Sequence, residues 1–224
     1  KISKKFNISL INDSFYNIKK TFIEIKRYKN VFRFLIARLF YNDGLITIFA
    51  FGGIYASNTF NFSFNEIFLF GILLNFCAGI GAFILGFVDD YIGGKKTVQI
   101  SNLGLIMACV LATGVPNGII NFYGISLHGK NLFWLSGILI GLFAGPNQSA
   151  SRSLFARLIP AGKENEFFGF FAFSGKATAF IGPLLLGLFT QFFNSQRAGI
   201  LIVIILFVFG LLLLREVVED KNGV

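Results

Sequence analysis

A few ionisable side chains interrupt the apolar stretches of this sequence, and these are the residues whose chemistry needs an explanation. The stretch RFLIARLFYNDG, residues 33–44, places Arg38, Asn42 and Asp43 within one apolar run. Charge inside an apolar helix is costly, and such groups normally face one another or a water-filled cavity. We therefore expect these side chains to line a polar pathway or a binding site.

The expected depth of these groups can be read from the helical rise. Asp43 lies roughly 18 Å from the start of its helix, and Lys176 lies roughly 15 Å into a later one, measured from the same face. We predict an ion pair between them, which a substrate or a proton could break; a static structural pair is the alternative. Arg38 and Asp43 are about 140° apart around the helix, so they are not expected to pair with each other.

A second polar segment lies in GPNQSASRSLFARLIP, residues 145–160. One helical face of it carries Gly145, Gln148, Ser149 and Arg152. Asn147 and Gln148 are predicted to contact a cavity, while Pro146 permits a kink that would suit either a gate or a fixed bend. Arg38, Arg152 and Lys176 outnumber Asp43, which favours a solute bearing carboxylate or phosphate, although an absent domain could supply the counter-charge.

Composition excludes an ordinary soluble domain. Charged residues make up 14% of the 224-residue chain, whereas soluble domains carry about 25%. Cys77 and Cys109 lie in apolar runs, and His128 is the sole histidine. A zinc site or a Ser-His-Asp triad has too few ligands or partners here, and neither a metal nor a cofactor is predicted.

The apolar runs predict an all-α membrane protein with six transmembrane helices. Each run is long enough to cross about 30 Å of hydrocarbon. The predicted spans are residues 31–57, 64–88, 97–115, 132–158, 166–193 and 199–214. Ionisable residues fall deep in the first, fourth and fifth spans, Glu66 lies near one end of the second, and the third and sixth have none. This distribution predicts two inverted triplets, in which the third and sixth spans are peripheral.

Residues 1–30 form a separate basic segment ahead of the membrane domain, residues 31–224. Its apolar residues recur on one helical face, namely Ile11, Phe15, Ile18, Phe22 and Ile25. Such a helix could lie on an anionic membrane surface or pack on neighbouring protein. Nucleic-acid binding is not expected, because the positive charge is confined to this segment and to loops.

Loop charge orients the predicted bundle. One side receives the basic segment with Lys95, Lys96, Arg157, Lys163, Arg215 and Lys221, while the other receives only Lys130 and Arg197. The positive-inside rule makes the first side cytoplasmic, so both ends of the chain are predicted to be cytoplasmic.

The loop between spans two and three reads GFVDDYIGGKKT, residues 86–97. Gly86, Asp90, Gly93 and Lys95 match the G-x-x-x-D-x-x-G-x-[KR]-[KR] signature of the major facilitator superfamily, which these residues resemble. The match departs at Tyr91, where a basic residue is common. The resemblance implies that this loop takes part in gating.

A closer resemblance covers most of the chain. RFLIARLFYNDG, GPNQSASRSLFARLIP, ENEFFGFFAFSGKATAFIGPLL and SQRAG are similar to the C-terminal half of the branch that contains bacterial "unknown major facilitators" and the autophagy-related vacuolar amino-acid effluxers of fungi. The resemblance implies a twelve-helix transporter in two six-helix halves, with alternating access and amino-acid-like export. It also implies that the first half is missing here; the chain begins at Lys1, as a fragment would.

Secondary active transport of a small anionic or zwitterionic solute is therefore the leading hypothesis. The expected partners are that solute, the lipid bilayer and the missing half or a second copy, in a bacterial inner membrane. A non-transporting membrane scaffold is the alternative, although it would gain little from buried charge. An intramembrane enzyme is less favoured, because Ser174 and Lys176 are two residues apart and lie on different helix faces.

Overall fold

The computed structural model of the chain describes residues 20–122 and 125–219, and helices dominate this part. Residues 20–25 are helical, and seven helices lie wholly within the described residues after them. We label these α1 (Lys29–Phe60), α2 (Phe64–Ile92), α3 (Gly94–Gly114), α4 (Gly129–Leu158), α5 (Glu164–Ala177), α6 (Ile181–Phe193) and α7 (Gln196–Leu214). The first four predicted spans correspond to α1–α4 and the sixth to α7. The fifth is divided between α5 and α6.

Five helical stretches of the described chain are long and apolar enough to cross a membrane. They are Lys29–Phe60, Phe64–Ile92, Gly94–Gly114, Glu164–Phe193 with its internal break, and Gln196–Leu214. The remaining predicted span, α4, has 30 residues but is less apolar along its length. Its Asn147, Gln148 and Arg152 are part of the reason. The chain is thus an integral membrane protein by composition, with α4 the least lipid-like of its long helices.

Tight turns join the first helices. Asn61 adopts left-handed backbone angles at the end of α1. A capping box then begins α2, because the Ser63 side chain accepts from the Glu66 N–H while the Glu66 carboxylate accepts from the Ser63 N–H. Gly93, with a φ of 92°, makes the turn between α2 and α3, a conformation that favours glycine.

The connector between α3 and α4 departs from an all-helical chain. Two short strands, β1 (Ile119–Phe122) and β2 (Ile125–His128), pair antiparallel, with Ile119 opposite His128. The sequence prediction contains no strand at this point. The β-branched residues of the connector favour extended backbone, and pairing the two strands satisfies backbone groups that a single strand would leave open.

The helices pack in two groups. In one group α4 lies against α2 and α3; in the other α7 lies against α1 and α6. Contacts of α3 with α7 and of α1 with α4 join the groups. Small residues make the α2–α4 contact unusually close, because a side chain at Gly141 or Gly145 would meet the Leu74 or Ala78 carbonyl of α2. We call Gly137, Gly141 and Gly145 the glycine seam.

The expectation that the third and sixth spans are peripheral is wrong for α3. Half of its most apolar stretch is buried, 50% against 22% for both α2 and the α5–α6 stretch. The reason is small and polar residues that fit against α4. Gly104 faces Phe143, and Asn102 is fully buried. Absence of charge therefore did not indicate exposure to lipid.

The basic segment packs on protein where it is described. Phe22 lies against Phe170 of α5, and Ile25 is fully buried. Lys163 binds the Glu24 carboxylate at 2.8 Å. Of the two alternatives, this part favours packing over the membrane surface; Ile11, Phe15 and Ile18 lie outside the described residues.

Candidate functional site

The break in the fifth span lies between Ala177, where α5 ends, and Ile181, where α6 begins. Pro183 explains it, since proline has no N–H to donate to the carbonyl four residues earlier, that of Ala179. Thr178 and Phe180 instead flank a short turn in which the Ile181 N–H donates to the Thr178 carbonyl at 2.8 Å. A broken helix leaves carbonyl groups at bilayer depth that need donors.

Side chains of α1 donate to two backbone carbonyls of α5 on the approach to the break. Arg38 donates through Nη1 to the Phe171 carbonyl at 3.0 Å, and Asn42 donates through Nδ2 to the Gly175 carbonyl at 3.2 Å. Asp43 accepts, through Oδ1, a 3.0 Å hydrogen bond from the Thr178 hydroxyl. We call Arg38, Asn42 and Asp43 the helix-break clamp. It joins α1 to the end of α5 and to the break itself.

Packing fixes the clamp in place. The Arg38 guanidinium lies over the Phe171 ring, 3.5 Å from its centroid, which is a close cation–π contact. Asp43 is 3% exposed, and Thr47 donates to its backbone carbonyl at 2.6 Å. Gly182 lies so close to Thr47 that no larger residue would fit without a shift. The clamp is therefore a polar contact that joins α1 to α5 and the break, with Asp43 buried and with Arg38 and Asn42 half-buried.

The predicted ion pair between Asp43 and Lys176 is not formed in this structure. Lys176 is exposed, and among the described residues no lysine or arginine nitrogen lies within 4.0 Å of the Asp43 carboxylate. Lys176 precedes Thr178 by two residues, about 200° around a helix, so the two side chains point in different directions. The helical rise placed Asp43 and Lys176 at a similar depth, but Lys176 lies on a different face of its helix from Thr178, which contacts Asp43.

The polar face of α4 is exposed. Gln148, Ser149 and Arg152 all lie at the surface, and the only hydrogen bond of these side chains in the described chain is from Ser149 to the Pro146 carbonyl. The helix continues through Pro146 without a break. Gly145 belongs to the glycine seam, so its role here is close packing on α2.

Asn147 differs from its expected role as a cavity residue. It is fully buried and donates through Nδ2 to Oδ1 of Asn102 on α3 at 2.9 Å. Its neighbour Gln148 is exposed because one helical step turns the side chain by about 100°. Asn147 is thus placed in the α3–α4 interface, where it fixes the two helices relative to each other.

An ionic cluster surrounds the loop motif. The Arg157 guanidinium binds Asp89 at 3.2 Å and Glu219 at 2.8 Å. Glu219 also accepts from the N–H groups of Gly94 and Lys95, which begin α3. A carboxylate at a helix N-terminus satisfies free N–H groups and complements the helix dipole. We call Asp89, Arg157 and Glu219 the ionic cluster.

The structure corrects the choice of aspartate in the motif. Asp90 is the aspartate that matches the sequence signature, but Asp90 is exposed, and Asp89 is the buried residue that binds Arg157. The helix rotation at the end of α2 decides between two adjacent aspartates, which the sequence alone did not. Lys95 donates through Nζ to the Arg215 carbonyl at 2.8 Å, so the motif is tied to the end of α7. Gly86 lies in open surroundings.

The ionic cluster alters the titration of Glu219. Burial raises the pKa of this carboxyl, but hydrogen bonds from the Lys95 N–H, Arg157 and the Gly94 N–H outweigh it, and the net pKa lies below the ordinary value. The carboxylate therefore stays charged at neutral pH. Reasoning from the sequence missed both Asp89 and Glu219; the adjacent aspartates were the available signal for Asp89.

A largely apolar cavity of about 560 Å³ lies at the other end of the bundle from the ionic cluster. Phe51, Tyr55, Phe70 and Leu186 are among its lining residues, and Thr47 contributes a hydroxyl. Since Thr47 is one helical turn from Asp43, the cavity extends to the level next to the clamp. Its size suits a small molecule, and its few polar groups are amides and hydroxyls.

The amino-acid sequence of the chain is similar to those of known membrane transporters and effluxers. The model of a family described as "Vacuole effluxer Atg22 like" matches residues 2–223. An autophagy-related protein 22 of Cryptococcus neoformans (strain B-3501A) is 29% identical over 204 residues, which cover 89% of this chain and 37% of that protein. The uncharacterized MFS-type transporter YxiO of Bacillus subtilis is 29% identical over 213 residues, 95% of this chain and 47% of that protein. The chain thus spans less than half the length of these two relatives.

Proposed function

The chain belongs to the vacuole effluxer Atg22-like family, and from this membership we propose that it is part of a secondary active transporter that moves a small solute across a membrane by alternating access. The resemblance read from its motifs is thereby confirmed at the level of the family. Relatives are named as effluxers and transporters, not enzymes. Consistently, Ser174 donates to the Phe171 carbonyl while Lys176 is exposed, so these two do not form a nucleophile–base pair here.

Buried polarity is the structural observation that carries the proposal. A helix of membrane-crossing length holds Asp43 at 3% exposure, joined to a broken helix. Broken helices with polar groups near the membrane centre are a recurring construction of solute sites in secondary transporters. The chain has no Gly-Lys-Ser/Thr nucleotide loop, so an ion or solute gradient is the proposed energy source.

The solute is proposed to be anionic or zwitterionic. Arg152 and Lys176 present exposed cations, with Gln148 beside Arg152 on the same polar face. Two cations and an amide favour a carboxylate or phosphate group. Export follows from the family's description as an effluxer, and the amino-acid-like character of the solute follows from the resemblance given in the sequence analysis; both are part of this proposal.

The proposed assembly has two halves. The relatives are at least twice as long as the matched segment, which supports a second, similar half as the partner of the exposed polar face. We propose six spans in this half, with α4 as the fourth, arranged as two inverted triplets. Both ends are proposed to be cytoplasmic in a bacterial inner membrane, because Lys95, Arg157 and Lys163 fall on one side.

The test uses the whole protein that contains this chain, purified in detergent and reconstituted in vesicles. Thermal stabilisation is measured with amino acids and organic anions, followed by flux of each solute that stabilises. We expect at least one carboxylate-bearing solute to stabilise the protein and to be transported. Arg152→Ala is expected to abolish both effects, whereas Arg27→Ala, at an exposed position in the turn before α1, is the matched control. Absence of both stabilisation and flux for every solute would favour the scaffold hypothesis.

A further inference from the structure

Asp43 is a buried carboxylate without a cation in contact. It is 3% exposed, and its hydrogen-bond donor in the described chain is the Thr178 hydroxyl. A lone negative charge at this depth costs several kcal/mol unless it is compensated. Binding a proton removes that charge without moving a side chain. The surroundings therefore favour a carboxyl group that takes up and releases a proton.

Thr178 has one hydroxyl hydrogen and two acceptors within reach. Its Oγ1 is 3.0 Å from Oδ1 of Asp43 and 3.4 Å from the Ser174 carbonyl oxygen. A threonine hydroxyl donates one hydrogen and accepts through two lone pairs. The hydrogen can point across to α1 or back along α5. When it points back along α5, the contact with Asp43 is a hydrogen bond only if the Asp43 carboxyl is protonated and donates.

We propose that Asp43 and Thr178 form a proton-binding switch at the break in the fifth span. With Asp43 charged, the Thr178 hydroxyl donates to the carboxylate. When a proton from the aqueous side adds to the carboxylate, its charge changes from −1 to 0, and the new O–H donates to Oγ1 of Thr178. The Thr178 hydrogen turns to the Ser174 carbonyl. No other bond is formed or broken.

The two states hold the break differently. A hydrogen bond to a carboxylate is roughly twice as strong as one between neutral groups, so the charged state fastens the turn after α5 more firmly to α1. In the neutral state Thr178 caps its own helix instead. Proton occupancy thus biases the junction between α5 and α6. This consequence for transport rests on the proposed function; the proton binding does not.

Other charged and titratable groups surround the switch on each packed helix. On α1, Arg38 is engaged with Phe171, and the Tyr41 hydroxyl is hydrogen-bonded to Ser151 at 2.8 Å. On α4 and α5, Arg152 and Lys176 are exposed. The α6 sequence has no ionisable residue, and Arg197 of α7 is bound at the far end to the Val115 carbonyl. Within the described chain, none of these groups competes for the carboxylate as an ion-pair partner within 4.0 Å.

The cavity approaches the switch but is not lined by Asp43 or Thr178. Thr47 lines it, and the Thr47 hydroxyl donates to the Asp43 backbone carbonyl. Water in the cavity would reach within one helical turn of the carboxylate, on the side of the bundle away from the ionic cluster.

Infrared difference spectroscopy of the purified protein tests proton binding directly, with the proton as the probe. We expect acidification to produce the carbonyl stretch of a protonated carboxylic acid at one position of the spectrum that Asp43→Asn removes. Glu166→Gln, which changes an exposed carboxylate near the start of α5, is the matched control and should keep this band. A band that survives in Asp43→Asn, or its absence from the unsubstituted protein at every pH, would overturn the proposal.

Thr178→Val tests the reversal of the hydrogen bond, and it applies even if Asp43→Asn fails to fold. Valine offers no acceptor, so the acid band should move to the higher frequency of a free carboxylic acid. Thr113→Val, whose hydroxyl bonds only within α3, should leave the band in place. An unmoved band in Thr178→Val would show that Thr178 does not accept from Asp43 and would overturn the switch.

Flux measurements separate this inference from the proposed function. Vesicles containing the protein are given a pH gradient and a mixture of amino acids. The band without any flux would contradict the transport function and leave proton binding standing. Flux driven by the pH gradient in both the unsubstituted protein and Asp43→Asn would overturn the switch and leave transport standing. We expect gradient-driven flux that Asp43→Asn abolishes.

Discussion

The polar residues of α1 and those of α4 have similar composition but opposite surroundings. Arg38, Asn42 and Asp43 are engaged with the end of α5 and the break that follows it. Gln148 and Arg152 are exposed and have no side-chain hydrogen bond in the part of the chain that the structure describes. Both segments interrupt an apolar run with an arginine and an amide, yet only one is satisfied internally.

The difference follows from what lies opposite each helix. The end of the broken fifth span offers backbone carbonyl groups to α1, and carbonyls select donors such as guanidinium and amide groups. Nothing comparable in the described chain faces the exposed side of α4. A polar face left open in a membrane protein is expected to meet water, solute or another domain. We infer that α1 holds the fold together at the break, whereas α4 presents its charge to a ligand.

Gly141→Val should have the largest effect on stability, because it acts on the packed side of α4. A side chain there would meet the Leu74 carbonyl, and overpacking costs typically 1–3 kcal/mol or more. We expect a free energy of unfolding lower by about 3 kcal/mol, measured by thermal or denaturant unfolding in detergent. Gly79→Val on α2, where no atom lies within 4 Å, is the control. Equal losses in both variants would show that α4 is not held by the glycine seam.

Arg38→Ala should have the next largest effect. It removes the donor to the Phe171 carbonyl and the contact with the Phe171 ring, so the loss should be about 1.5–3 kcal/mol. Arg33→Ala, five residues earlier on the same helix, removes a solvent-exposed pair with Glu216 and should cost less than about 1 kcal/mol. If the two substitutions cost the same, the clamp does not stabilise the break.

Arg152→Ala should change the free energy of unfolding by no more than about 0.5 kcal/mol, the usual range for surface positions. Its expected effect is on solute binding, seen as loss of ligand-induced thermal stabilisation. Arg38→Ala is expected to lower the free energy of unfolding, whereas Arg152→Ala is expected to leave it nearly unchanged and to weaken solute binding. A large loss of stability in Arg152→Ala would mean that α4 is engaged much as α1 is, and the contrast between the helices would fail.

The smallest expected effect is the change of stability with pH that comes from the ionic cluster, in which Arg157 at the end of α4 binds Asp89 and Glu219. Because the pKa of Glu219 is lowered in the folded protein, its stabilisation is fully present above the unfolded value, about 4.3, and is lost as the pH falls through the folded value. The stability difference between the unsubstituted protein and Glu219→Gln should therefore shrink on acidification. Glu216→Gln, an exposed neighbour, should show less pH dependence. A difference that grows with acid would contradict the sign of the shift.

Helical content and the approximate limits of the long helices could be predicted from hydrophobicity, because the bilayer constrains length strongly. The residues of the clamp could also be identified as facing protein, since charge inside an apolar run is rare; Asp43 is buried, and Arg38 and Asn42 are half-buried. Their partners could not. Arg38 and Asn42 bind backbone carbonyls of Phe171 and Gly175, and any residue type supplies a carbonyl. The sequence prediction chose Lys176 as the partner of Asp43 because it is charged, whereas the partner in the structure is the neutral Thr178.

Helix rotation accounts for most of the remaining errors. Asn147 and Gln148 are adjacent, but one lies in the α3–α4 interface and the other at the surface. The same holds for Asp89 and Asp90 at the end of α2. The Gly182–Pro183 pair within an apolar run was the sequence signal for the break, because Gly-Pro pairs mark turns; it carries no charge and so was not among the expected polar sites.

The glycine seam determines how motion is distributed in the bundle. Where the backbones of α2 and α4 are in contact, no side chains lie between them whose rotamer changes could let one helix slide along the other. We therefore expect α2 and α4 to move together as one rigid body. The junction between α5 and α6 has fewer backbone hydrogen bonds than a continuous helix, so we expect it to act as the hinge. Spin labels on α2 and α4 should therefore keep a constant separation under any condition, while labels on α5 and α6 should report every bend of the molecule.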